Sequence, residues 1–226
     1  MKYDPKKEYA LEELQKRGYQ IDDPWDAVNL FEQKVAEYTG SKYAVAVDNC
    51  TDAIFLCLKY VNACEKIRVP CRTYVSIPMM IKQAGCEIEF EDIEWSGSYQ
   101  LKPFPIYDSA QRFTENMYQA GTFQCLSFHR KKILQLPKGG MILTDCPNAA
   151  EWFKVARAKG RHPHKNVFYK DESFEVYGWN MYMSPERAAQ GILVLETLPR
   201  ENEDNAGSYY YHDLRRHKIF GGLNDQ

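Results

Sequence analysis

The sequence predicts an α/β fold built on a largely parallel sheet. Two observations carry that expectation: short apolar runs alternate along the chain with helical stripes, and those runs are continuously apolar, as in strands buried on both faces. A third observation concerns function. Each strand-like run is followed by a cluster of polar side chains, and in open α/β sheets ligands bind beyond the carboxyl ends of the strands.

The first clear element is a helix from Asp26 to Tyr38, with Ala27, Leu30, Phe31, Val35 and Tyr38 on one stripe and Gly40 placed to end it. Tyr43-Ala-Val-Ala-Val47 reads as a buried strand, Asp48 to Thr51 as a polar turn, and Asp52 to Tyr60 as a helix. The unit repeats: strand Ile67 to Val69, turn Pro70 to Thr73, helix near Val75 to Ala84, strand Glu87 to Phe90. Pro105 to Tyr107, Phe123 to Phe128 and Gly140 to Thr144 read as further strands, and Pro147 to Ala158 as a long helix. A last helix covers Ser184 to Leu195, with Pro185 at the first helical position, where its missing N–H costs nothing.

Composition narrows the class. With 226 residues, 44% of them hydrophobic, the chain can bury a core at the upper end of single-domain size. A formal charge of -2 with dispersed basic residues gives no footprint for nucleic acid. The first twenty residues alternate charge with apolar side chains and lack the h-region of a signal peptide, and no segment is apolar enough to span a bilayer. Seven cysteines without a secretion signal then read as reduced thiols of a cytoplasmic protein. Cys50, Cys57, Cys64 and Cys71 recur every seven residues. Cys57 and Cys64 would lie about 10 Å apart along a helix, too far to share a metal ion, so core packing is the expectation.

The polar clusters at the strand ends are Asn49-Cys50-Thr51, Thr73-Tyr74, Asp108-Ser-Ala-Gln111 and Ser127-Phe-His-Arg-Lys-Lys132. Each alone has a structural reading: a helix cap, a structural carboxylate, a solvated basic face. In sequence they supply an anion cup at a helix N-terminus, an aromatic ring, a carboxylate and a lysine. Pyridoxal phosphate (PLP) needs that set: a phosphate site, a flat side chain against its ring, an anion at the ring nitrogen and an amine for imine formation.

These motifs, with Phe31-Glu32, Tyr38 to Val47 and Gly139-Gly140, closely resemble the DegT/StrS-like sugar aminotransferases over about residues 24 to 198. The resemblance implies a three-layer, aspartate aminotransferase-like large domain with a mostly parallel sheet flanked by helices. It implies a PLP-dependent aminotransferase that takes a nucleotide-linked keto sugar and an amino-acid donor, with glutamate expected. By motif matching, Asn49, Cys50 and Thr51 fall on the family's phosphate turn, Tyr74 on its stacking position, Asp108 on the carboxylate facing the pyridine nitrogen and Gln111 on the glutamine against the ring. Ser127 falls on a phosphate-binding serine and Lys132, rather than Lys131, on the Schiff-base lysine. Asn180, in Gly178-Trp-Asn180, falls on the asparagine that reaches the cofactor phosphate of the other subunit, which implies a homodimer. His129 is expected to act only through its neighbours.

The chain also departs from the pattern. Glu94 to Phe104 is too short for the usual strand–helix–strand passage, so about one βα unit is missing. The expected division is a PLP-binding large domain over 1–198 and a tail over 199–226 in place of the small domain, which leaves the sugar side of the pocket short of a wall. The alternative to an active enzyme is a binding or regulatory relative that keeps the PLP site but is catalytically impaired.

Overall fold

The computed structural model describes residues 5–162 and 174–221. Six helices and seven strands follow in the order α1 (Pro5–Lys16), α2 (Asp26–Thr39), β1 (Tyr43–Val47), α3 (Cys50–Tyr60), β2 (Lys66–Pro70), α4 (Ser76–Gln83), β3 (Glu87–Glu91), β4 (Tyr99–Leu101), β5 (Ile106–Asp108), β6 (Phe123–Ser127), β7 (Gly140–Thr144), α5 (Pro147–Ala156) and α6 (Pro185–Leu195). Helix α1 and strand β4 have no counterpart in the sequence-based expectation. Gly40 caps α2 in the left-handed region, φ 76°, its N–H bonded to Ala36 O, as its position after the apolar stripe predicts.

The main sheet has the order β1-β7-β6-β5-β4, and β2 with β3 forms a parallel pair. A bridge between Arg68 and Lys102 joins that pair to the end of β4. Following the pairings across, β1, β2, β3, β5 and β6 point one way and β4 and β7 the other. The sheet is therefore mixed, with most strands running one way as expected and β4 and β7 reversed. The connections explain the reversals, because a parallel neighbour requires a crossover of a dozen or more residues, usually through a helix. Only residues 102–105 separate β4 from β5, and the β6–β7 link, although longer, contains no helix to carry the chain across the sheet. The shortened stretch before β5, expected to lack about one βα unit, holds one antiparallel strand.

Both sheet faces are covered. Val45, Val47, Cys125 and Ile142 pack with α3, α4 and α5 in one apolar cluster. Ala44, Ala46, Leu126, Met141 and Leu143 face α1, α2 and α6 in another. This is the three-layer arrangement predicted, and it explains why β1 and β7 read as unbroken apolar runs. Strand β1 lies at the sheet edge, where unpaired backbone groups need partners. Glu32 of α2 accepts the Ala46 N–H at 2.9 Å, and the Arg157 guanidinium bridges Glu32 to the Ala46 carbonyl. Both charged side chains are buried.

The tail, described through Gly221, docks on the chain's own sheet. Asp204 forms a two-pronged ion pair with Arg112, at 2.8 and 2.7 Å. Tyr211 stacks on Trp95 with centroids 5.7 Å apart, and the Leu214 N–H bonds Cys71 O. Arg215 pairs with Asp92, and Phe220 meets Phe90 edge to face.

Candidate active site

The predicted residues come from successive strand ends because the strands bearing them run in one direction. Cys50 and Thr51 open α3 after β1, Tyr74 follows β2, Asp108 ends β5, and Ser127 ends β6 with Lys132 in the turn beyond. All of these, with Gln111 and Asn49, line one cavity of about 620 Å³. Asn180 does not. It lies exposed on a separate cavity of about 250 Å³ with Asp48, Ser184 and Arg187, and Lys138 lines both spaces.

The β1–α3 turn is held by close packing. An added Cβ on Gly140 would fall 2.4 Å from the Asn49 carbonyl carbon, so β7 can start beneath the turn only with glycine there. The Asn49 side chain is occupied as the helix cap: its Oδ1 accepts the Asp52 N–H at 2.9 Å and its Nδ2 donates to Asp52 Oδ2 at 2.8 Å. What the turn presents to the cavity is the free amide pair of Cys50 and Thr51 at the positive end of α3, with the Thr51 hydroxyl, 2.9 Å from Ser76 Oγ, beside it. Ser127, at the end of β6, adds a hydroxyl to the lining.

Asp108 is the anionic pole. Its Oδ1 accepts the Ala110 N–H at 2.9 Å and its Oδ2 accepts the Tyr99 hydroxyl at 2.8 Å, while Tyr99 lies 2.5 Å from Thr73 Oγ1. Burial pushes the Asp108 carboxyl up, against the Ala110 and Tyr99 hydrogen bonds and the nearby Lys132 charge. Lys132 answers in kind. Its ammonium has no hydrogen bond or ion pair among the described residues, and burial lowers its pKa, opposed by Asp108 and Cys50. Beside it, burial and the charges of Arg130, Lys132 and Lys131 lower the His129 pKa. Tyr74, 58% exposed, leaves its ring open to the cavity.

The tail, expected only as a short stretch in place of the small domain, supplies part of the cavity lining. Asn205, Ala206, Tyr210 and Tyr211 of the tail line the cavity opposite the strand ends. Asn205 is anchored through its N–H to Gln111 O at 2.8 Å and through Nδ2 to Gln111 Oε1 at 2.9 Å and Lys131 O at 3.1 Å. Gln111 in turn donates to the Tyr211 oxygen. The tail's contribution was missed because its tyrosines and asparagine carry no periodic signal. The nearest clue was the cluster Tyr209-Tyr-Tyr211 in an otherwise polar stretch. Trp95 and Tyr99, also missed, come from the shortened passage before β5.

The seven cysteines are unpaired thiols, with Cys50, Cys57 and Cys71 buried and Cys64 exposed. No helix among the described residues is long and apolar enough to cross a membrane.

Comparison with known proteins identifies a family for the chain. The model of the DegT/DnrJ/EryC1/StrS aminotransferase family matches residues 4–116 and 106–223, two pieces that overlap just beyond the shortened passage. The UDP-4-amino-4,6-dideoxy-N-acetyl-beta-L-altrosamine transaminase of Campylobacter jejuni is 21% identical over 243 residues, covering 87% of this chain and 64% of its own length. The spore coat polysaccharide biosynthesis protein SpsC of Bacillus subtilis is 24% identical over 257 residues, covering 88% and 65%. Among solved structures, AtS13 from Actinomadura melliaura superposes with a TM-score of 0.71 at 18% identity, over 87% of this chain and 66% of that one. The chain thus spans 64 to 65% of the length of these two curated relatives.

Proposed function

The chain belongs to the DegT/DnrJ/EryC1/StrS aminotransferase family, and on that premise we propose that it is a PLP-dependent aminotransferase acting on a nucleotide-linked keto sugar, with glutamate as amino donor. The observation that carries the proposal is the convergence of an unpartnered, desolvated lysine, a buried carboxylate and an anion cup on one cavity. The donor set fits the cofactor. The amides of Cys50 and Thr51 with the hydroxyls of Thr51 and Ser127 suit a phosphate, Tyr74 offers a ring face, and Gln111 lies on the cavity wall.

When bound, PLP supplies an aldehyde for imine formation and an electron-accepting ring. The chain supplies the rest. Asp108, held by a donor on each oxygen, is a fixed buried anion whose charge a ring N–H⁺ would balance. Lys132, its pKa lowered by burial, has an increased share of the neutral amine that attacks a carbonyl and afterwards accepts and returns a proton. The tail wall limits water and fixes the substrate's orientation against Lys132. Asn180, turned away from its own large cavity, suits a cross-subunit role, and we propose a homodimer in the cytoplasm, testable by light scattering at micromolar concentration.

The test is covalent. Borohydride reduction of the PLP-loaded chain should fix the cofactor on the peptide carrying Lys132, in the parent and in Lys131→Ala, and not in Lys132→Ala. Attachment at Lys131 would refute the register, and the absence of any absorbance change on adding glutamate to the loaded protein would leave only cofactor binding.

A further inference from the structure

The charge of Asp108 depends on a side chain that stands behind the cavity wall. Asp108 is buried at the end of β5, and burial pushes its carboxyl up. Two hydrogen bonds oppose that push, and they differ in kind. The Ala110 N–H at Oδ1 is a backbone group that any residue there would supply. The Tyr99 hydroxyl at Oδ2, 2.8 Å away, depends on one residue of β4 that does not line the cavity. The other titratable groups facing Asp108 among the described residues are Lys132 in the turn beyond β6, Cys50 of α3, Cys125 of β6 and Tyr211 of the tail.

Chemistry fixes the direction of the bonds around Tyr99. An ionised carboxylate only accepts, so the Tyr99 proton points at Asp108. The phenol oxygen then accepts from Thr73 Oγ1, 2.5 Å away and buried, whose hydroxyl has no other partner among the described residues. The order runs from Thr73 to Tyr99 to Asp108, and each donor strengthens the next. Burial and the Asp108 charge push the Tyr99 hydroxyl well above its ordinary value, so it stays a donor.

The surrounding structure holds this arrangement in place. Tyr99 and Asp108 are directly paired across the antiparallel β4–β5 ladder, which puts their side chains on one face. One residue earlier, Ser98 Oγ lies 2.8 Å from Ser109 Oγ, a second contact between the two segments that fixes the same register. Trp95 packs on the Tyr99 ring with centroids 4.7 Å apart, and its Nε1 donates to Arg72 O at 2.9 Å, next to Thr73. Phenylalanine would fill the same space, so packing alone does not account for the hydroxyl.

We propose that Tyr99 is a positioning residue for the reaction proposed above: its hydroxyl, braced by Thr73, holds the Asp108 carboxylate charged and aimed at the cavity. The assignment rests on that reading, in which Asp108 balances a ring N–H⁺, and deepens it by giving the antiparallel strand of the shortened passage a task in the site.

The experiment is a carbon-13 NMR titration of the full chain labelled at its aspartate carboxyls, without and with PLP. It compares the parent with Tyr99→Phe and Thr73→Val, and Asp108→Asn identifies the signal. In the cofactor-free chain Tyr99→Phe should raise the Asp108 midpoint by about one to two pH units, a 10- to 100-fold gain in proton affinity on losing a bond to a charged group. Thr73→Val, which removes the outer donor, should raise it by less and in the same direction. In the loaded chain, PLP labelled with nitrogen-15 should show the ring proton displaced toward Asp108 in Tyr99→Phe, because that variant's carboxylate is the stronger base. An unmoved Asp108 midpoint in Tyr99→Phe, even with a lower melting temperature, would reduce Tyr99 to packing and overturn the assignment. If Tyr99→Phe does not fold, Thr73→Val decides, and an unmoved midpoint there overturns it equally. A parent that does not take up PLP would defeat the function on which the assignment rests, while the cofactor-free titration still reads the hold of Tyr99 on Asp108.

Discussion

Asp204→Ala should release the tail from the cavity while leaving the sheet intact. The carboxylate accepts two bonds from Arg112, at 2.8 and 2.7 Å, and a third from Ser96 Oγ at 3.1 Å. Charge-assisted bonds of this kind are worth up to about 3 kcal/mol each when buried, but solvent reaches the pair, with side chains 32% and 21% exposed, which brings the whole to roughly 2 kcal/mol. That corresponds to about 30-fold in the docking equilibrium. Two amides report on it: Asn205 N–H on Gln111 O at 2.8 Å and Ser208 N–H on Trp95 O at 2.9 Å. Their hydrogen exchange should accelerate about 30-fold in the variant, with the amides of β1 and β7 unchanged. The pH dependence has a definite sign. Arg112 holds the Asp204 carboxyl below its ordinary value, so the anchor is fully present above about pH 4 and is lost as pH falls through the lowered value. The parent should loosen in acid, and Asp204→Ala should lack that transition. A second handle is Gly97, φ 67°, where an added Cβ would lie 2.2 Å from Asp204 Oδ1; Gly97→Ala should mimic the carboxylate's removal. Unchanged exchange at Asn205 and Ser208 in both variants would refute the idea that this contact holds the wall.

Asp108→Asn should keep its PLP but lower turnover on the order of 100-fold or more, measured as single-turnover rate against cofactor content; near-parental turnover would give the carboxylate another job. Asp52 is pushed up to about 6 by burial and by Asp48, so its ionisation opposes folding: its stabilising protonated state is complete below about pH 4 and is lost as pH rises through 6. Asp52→Asn should therefore raise the melting temperature at pH 8, by no more than ~3 kcal/mol equivalent, and change little at pH 4; the reverse order would contradict it. Arg157→Leu strands the buried Glu32 and should cost about 3–5 kcal/mol in denaturant unfolding, whereas a loss under ~1 kcal/mol would mean that Lys154, 3.5 Å from Glu32, takes over the pairing.

The sequence alone determined the helices and strands whose residues satisfy one period and one environment. Strand β1 and helix α2 were legible because Val45 and Ala46 are both buried and because Phe31 and Val35 share a stripe that Gly40 ends. It also determined which residues stand at the strand ends, since motif order survives the low identity to known relatives, and so the grouping of Thr51, Tyr74, Asp108, Gln111, Ser127 and Lys132 could be read before any coordinates. What only the tertiary structure decided are relations between segments distant in the chain. The directions of β4 and β7 follow from their connections and pairing partners, which leave no mark on the strands' own composition. The Tyr99 hydroxyl on Asp108 depends on the register of an antiparallel pair, Tyr99 opposite Asp108, that three residues of strand cannot announce. The tail's place over the cavity rests on Arg112 with Asp204, 92 residues apart, and on Gln111 with Tyr211, 100 apart. Such contacts are fixed by burial and hydrogen-bond geometry once the sheet has formed, and neither periodicity nor composition along the chain encodes them.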